Sequence, residues 1–196
     1  MSTRLTAAQR RDEIERAAID VFTERGFAGA TVEDIVNRAG VTKPMLYRHF
    51  ESKQDLVMAL LERHRDELAA AALDALLATA DTPLPQRLDA MLDAWFSYVL
   101  EHPFVRLLLQ DEGTDPDVSA LVGELHARQR ATDVALLREF APHLPDPELE
   151  SLGELIRSAL SGLGLWVLEH RDASPTQAAA AMRRVVLGIV RSDRTP

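Results

Sequence analysis

G-F-A-G-A-T-V-E-D-I-V-N-R-A-G-V-T-K-P-M-L-Y-R-H-F-E-S-K, residues 26–53, is the stretch that decides the fold. Its punctuation predicts a short helix, a glycine turn, a second short helix and the start of a third. Thr31 stands at the N-cap of a helix over residues 32–39, with Asp34 three positions on as its capping-box partner. Gly40 offers the left-handed residue that ends this helix. Thr42 caps a helix over residues 43–50, whose first turn holds Pro44, where a missing N–H loses nothing. Ser52 with Asp55 caps the next helix. Two short helices joined by a glycine-containing turn of three or four residues form a helix-turn-helix.

The second of these helices has two faces. Leu46 and Phe50, spaced i, i+4, belong in a core with Ile35 and Val36. Lys43, Tyr47, Arg48 and His49 face outward and carry charge, hydrogen-bond donors and an aromatic ring. A helix that buries one stripe and presents this chemistry on the other suits the major groove of DNA. A solvated face on a small bundle is the plain alternative; three successive caps at the spacing of the motif favour DNA.

Gly26, Phe27, Thr31, Ile35, Ala39-Gly40-Val41, Leu46-Tyr47, His49-Phe50, Ser52-Lys53 and Leu56 together resemble the N-terminal domain of the TetR family of bacterial transcription regulators. The resemblance is close over residues 8–57, and the remainder resembles the family only in being all-helical. It implies a three-helix DNA-binding head, residues 1–52, on a helical effector-binding and dimerisation body, residues 53–196. The implied partners are a double-stranded DNA operator, a second copy of the chain and a small-molecule effector of unknown identity. The usual activity is repression relieved by that molecule. By the same resemblance Tyr47 and His49 hydrogen-bond phosphates, and Lys53 pins the DNA backbone at the next helix start. Thr31 and Thr42 combine a cap with a phosphate contact at a helix N-terminus. Lys43, Pro44, Met45 and Arg48 occupy the positions facing base edges: Lys43 or Arg48 for guanine, Pro44 and Met45 for a thymine methyl. Glu33 and Asp34 depart from relatives that carry a basic residue nearby, so the first short helix reads cytosine or no base.

Composition narrows the alternatives. A chain of 196 residues, 46% hydrophobic, can bury one substantial core and a small one. With no cysteine there are no disulfides, thiolate metal sites or cysteine nucleophiles. The first twenty residues carry too much charge for a signal peptide, and the longest apolar run, residues 158–168, is too short for a membrane span. A cytoplasmic protein with no membrane partner is expected. The net charge of −9 is unevenly placed: residues 1–50 hold 8 Arg and Lys against 7 Asp and Glu, and residues 51–196 hold 14 against 24. An acidic body repels DNA everywhere except through the near-neutral head.

The expected fold is all-α, with about nine helices. Residues 6–25 form the first, with Thr6 and Gln9 as capping box and Ile14, Ala17, Ala18, Val21 and Phe22 as buried stripe. A long helix follows over residues 53–80, with an apolar side of Leu56, Leu60, Leu61, His64, Leu68 and Leu73. Further helices are read at residues 85–102, 104–112, 117–140, 148–170 and 175–191, the fourth of these with small residues Ser158, Ser161, Gly162 and Gly164 on successive turns. Glycine costs about 1 kcal/mol in a helix interior, so close approach of a partner helix is expected there. The predicted dimer interface is Ser158, Gly162, Leu165, Trp166, Met182, Val185, Val186 and Ile189. The family's body holds a ligand cavity, and Trp95, Phe96, Tyr98, Phe104, Leu108, His126, Gln129 and Trp166 are the candidates to line it. No dinucleotide loop, Walker loop, HExxH or serine elbow is present, and the six histidines lack ligand spacing. No enzyme activity, metal or cofactor is therefore expected. An activator with the same head, or a helical protein-interaction module, are the other readings.

Overall fold

The computed structural model describes residues 6–109, 116–170 and 172–192, the last four of these by their backbone alone. It contains helices α1 (Ala7–Gly29), α2 (Val32–Ala39), α3 (Lys43–Leu46), α4 (Lys53–Ala78) and α5 (Leu84–Glu101). A 3-10 turn, Pro103–Val105, leads into α6 (Arg106–Leu109), and α7 (Pro116–Phe140), α8 (Asp146–Glu169) and α9 (Pro175–Ser192) complete the chain. Among the described residues there is no strand.

The caps set the element boundaries. Gln9 N–H donates to Thr6 Oγ1 at 3.2 Å and Thr6 N–H to Gln9 Oε1 at 2.9 Å, closing the box that starts α1. Gly26, at φ 70, breaks α1 three residues before its end. Gly40, at φ 63, turns the chain out of α2. Ser52 Oγ accepts from Asp55 N–H at 3.0 Å and starts α4. In two places the expected boundaries change. Thr42 makes no side-chain cap, because its carbonyl rather than its hydroxyl collects the first N–H groups, those of Met45 and Leu46. The expected helix over residues 43–50 is regular only to Leu46, then tightens into a turn in which His49 N–H bonds to Leu46 O at 2.9 Å. The expected end of the helix at residues 104–112 lies outside the described residues.

Ile14, Ala18, Val21 and Phe22 of α1 bury against Ile35, Val36, Leu46 and Phe50, and α4 closes this small core with Leu56 and Leu60. The core runs on without a break: Phe22 meets Phe104 at 6.3 Å between ring centres. One continuous core thus replaces the expected pair. α4, of 26 residues and roughly 39 Å, turns back into α5, while α7, α8 and α9 pack around the pair. Leu73, expected in the buried side of α4, is 41% exposed, because α7 stands away from α4 there. Among the described residues no helix is long and apolar enough to cross a membrane.

Candidate nucleic-acid interface and body cavity

The reading segment is held from behind. Leu46 and Phe50 are fully buried, so α3 cannot rotate without exposing both. Arg11 of α1 lies over the Phe50 ring at 4.4 Å and donates to His49 O at 3.4 Å. Its other side is gripped by Glu15, a buried carboxylate that also binds Arg63 of α4. This Arg11–Glu15–Arg63 bridge was not anticipated. Its trace in the sequence is an acid one step from Ile14 and three from Ala18, within the apolar arc of α1.

On the outer face Thr42, Lys43, Pro44, Tyr47 and Arg48 are exposed together, with Met45 and His49 half-exposed. Tyr47 is 49% exposed. Arg48 makes no hydrogen bond or ion pair among the described residues. Lys43 pairs with Glu33 of α2 at 2.5 Å, both ends in solvent. Exposed pairs of this kind contribute at most about 1 kcal/mol, so a stronger acceptor can take the ammonium away. Thr31 closes the α2 capping box: its hydroxyl donates to Asp34 Oδ2 at 2.7 Å and accepts from Asp34 N–H at 3.1 Å. The Thr31 hydroxyl, joined by the Thr31 N–H donating to Asp34 Oδ2 at 3.1 Å and with Arg25 nearby, holds the Asp34 carboxyl below its usual range.

Lys53 is engaged within the chain. Its ammonium donates to Phe27 O at 2.9 Å and Ala30 O at 3.1 Å and lies 4.0 Å from the centre of the Phe27 ring. These contacts form a clamp that ties the α1–α2 turn to the start of α4.

In the body, a cavity of about 370 Å³ opens among α4, α5, α7 and α8. Of the eight expected lining residues it is bordered by Trp95 and Gln129. Phe96, Phe104 and Leu108 are buried in the core, packed against neighbours on every side. Tyr98 points the other way, its hydroxyl donating to Glu67 Oε2 at 2.6 Å and meeting His64 Nδ1 at 2.9 Å. His126 borders a smaller recess between α7 and α8. Trp166 is 41% exposed on the outer side of α8. Apolar positions unsuspected from sequence, among them Leu88, Met91 and Phe140, make up most of the wall.

The outer side of α8 and α9 carries the expected small and apolar positions unevenly. Ser158, Gly162, Trp166 and Val185 are exposed, with Leu155 beside them at 53%. Leu165 is half-buried. Met182 is buried in the chain's own core, and Val186 turns inward to border the cavity, so these two depart from the expected interface. The side chain of Ile189 lies outside the described residues. The two glycines also separate: a Cβ on Gly164 would meet Trp95 at 2.8 Å, whereas one on Gly162 meets nothing within 4 Å. Gly164 is therefore small because α5 of the same chain approaches it.

Residues 14–60 match the family described as bacterial regulatory proteins, tetR family, and residues 83–188 match the tetracyclin repressor-like C-terminal domain. The chain is 38% identical over 186 residues to the HTH-type transcriptional repressor KstR2 of Mycobacterium tuberculosis, covering 91% of this chain and 92% of that one. It is 42% identical over 122 residues to the HTH-type transcriptional activator FasR of Mycolicibacterium smegmatis, a match that spans 61% of this chain and only 54% of that protein. A putative transcriptional regulator from Pseudomonas aeruginosa PAO1 shares the fold with a TM-score of 0.77 at 23% identity, over 95% of this chain and 93% of its own. These relatives are transcription regulators and not enzymes. With a capped helix-turn-helix at its N-terminus, an all-helical body behind it and both of the family's domains matched, the chain belongs to the TetR family of bacterial transcription regulators.

Proposed function

We propose that this protein represses transcription in the bacterial cytoplasm as a homodimer. Residues 1–52 act as its DNA-binding head and residues 53–196 as its effector-binding and dimerisation body. Two copies of α3 lie about one turn of DNA apart on a palindromic operator, and a small molecule entering the body cavity releases them. The observation that carries this reading is the α3 surface: Tyr47, Arg48, Thr42 and Pro44 exposed on a segment whose reverse side is immobilised. Repression is supported by the length of the match to KstR2, named as a repressor. FasR is named as an activator, which favours activation through the same head as the second reading. The exposed row Leu155, Ser158, Gly162, Trp166 and Val185 supports pairing through α8 and α9.

Fluorescence anisotropy on duplexes from the promoter beside the gene tests this. Tyr47→Ala is expected to weaken binding to every sequence alike, as loss of a phosphate contact does. Lys43→Ala is expected to change preference at one base pair by about 1–3 kcal/mol. Equal losses across all operator variants for Lys43→Ala rule out base reading by that side chain, and no salt-dependent binding by the wild type rules out the function.

A further inference from the structure

We infer that the body cavity takes an amphiphile with a hydrocarbon part of about a dozen heavy atoms and one hydrogen-bond-donating end, an alcohol or an amine. The inference rests on the ligand-released regulator proposed above and names the class of molecule that releases it. Size comes first. A volume of about 370 Å³ holds about a dozen water-sized groups at roughly 30 Å³ each.

The chemistry of the wall comes second. α4 and α5 contribute only apolar groups, including Leu76, Leu88, Met91 and Trp95. Polar side chains gather where α7 faces α8: Gln129, Thr132, Asp133 and Arg157. Leu73 and Leu136, both bordering the cavity, are 41% and 38% exposed, so much of the rim open to solvent is itself apolar. A hydrated polar ligand gains nothing from such a wall, whereas each methylene transferred to it from water is favourable.

The polar end then selects the end group. Arg157 is answered within the chain: its guanidinium donates to Glu154 Oε2 at 3.1 Å, to Glu154 Oε1 at 2.5 Å and to Ser158 Oγ at 3.4 Å. Asp133 is half-buried, one turn beyond Gln129 on α7. Burial pushes its carboxyl above the usual range in spite of Arg157 and Arg65. A carboxylate has about four acceptor positions, so Asp133 has room for a donor from the ligand. A ligand carboxylate at the same place would set like charges side by side.

Calorimetric titration of the full chain with n-alkanols, n-alkylamines and n-alkanoates of about six to about fourteen carbons tests this. The expected result is an affinity for the alkanols or amines that rises about fourfold per methylene and levels off near a dozen heavy atoms. Asp133→Asn is expected to lower amine affinity at least about tenfold while leaving the gain per methylene intact. Affinity independent of chain length in all three series overturns the proposal, as does tightest binding of the alkanoates. Operator anisotropy on the same preparation separates the two levels. Intact operator binding with a flat alkyl response removes only the ligand class, whereas absent operator binding removes the regulator reading beneath it.

Discussion

Two glycines in the body look alike in sequence and differ in what surrounds them. Gly164 is buried against the Trp95 ring, and Gly123 in α7 has nothing within 4 Å of an added Cβ. Gly123→Ala is therefore expected to stabilise the protein by up to about 1 kcal/mol through helix propensity. Gly164→Ala is expected to destabilise it by about 1–3 kcal/mol, because the indole and Leu109 must shift. Urea titrations of both variants check the pair, and equal signs would sink the assignment. The same contrast marks what could be read in advance. Thr6, Thr31 and Ser52 were legible because a cap is decided by residues three apart in the chain. The Lys53 clamp was not, since Phe27 and Ala30 are more than twenty positions away and only the turn at Gly26 brings their carbonyls within reach.

At the level of helices, periodicity identified the inward side of α1 and most of that of α4. It could not say whether an inward residue meets another helix or an empty space. Phe96 and Trp95 are neighbours on α5, yet Phe96 lies in the core and Trp95 borders the cavity, because α7 leans away from α4. The α4–α5 pair also holds a titratable group. His64 is buried, and since the Tyr98 hydroxyl donates to Glu67, His64 must donate from Nδ1 to Tyr98; its Nε2 is buried with no partner among the described residues. Around it stand Glu67, Arg63, His102 and Phe104. Burial lowers its pKa from 6.5 to about 4, with Glu67 opposing and Arg63 and His102 assisting. The unfolded chain takes a proton as pH falls below 6.5, and the native state refuses it until about 4. Stability from this group is thus complete above pH 6.5 and is lost on descending to about pH 4, by roughly 3 kcal/mol in full. Thermal melts across that range should show a steeper decline for the wild type than for His64→Leu; parallel curves would contradict it.

Across the whole molecule, charge and surface shape divide the work. On the proposed function, the acidic body and near-neutral head leave α3 as the route by which DNA can approach. Operator affinity should accordingly fall steeply with salt. Gly162 lies on the open outer side of α8, where nothing stands within 4 Å of an added Cβ. Gly162→Arg should therefore fold normally, appear as a monomer by light scattering and lose operator binding. A dimer of unchanged DNA affinity would show that the subunits pair elsewhere. Along α9, Met182 and Val185 were not separable in sequence: three positions apart, they share a side of the helix, and only the packing of α9 on α5 buries one and leaves the other exposed. The Arg11–Glu15–Arg63 bridge has a mechanical consequence. Parting Glu15 from its two half-exposed arginines would leave a buried carboxylate unpaired, so α1, the reading segment and the first three turns of α4 are tied into a single block. On the function proposed above, the pivot for a signal from the cavity would lie beyond residue 63, and an occupied cavity would tilt an intact head instead of deforming it.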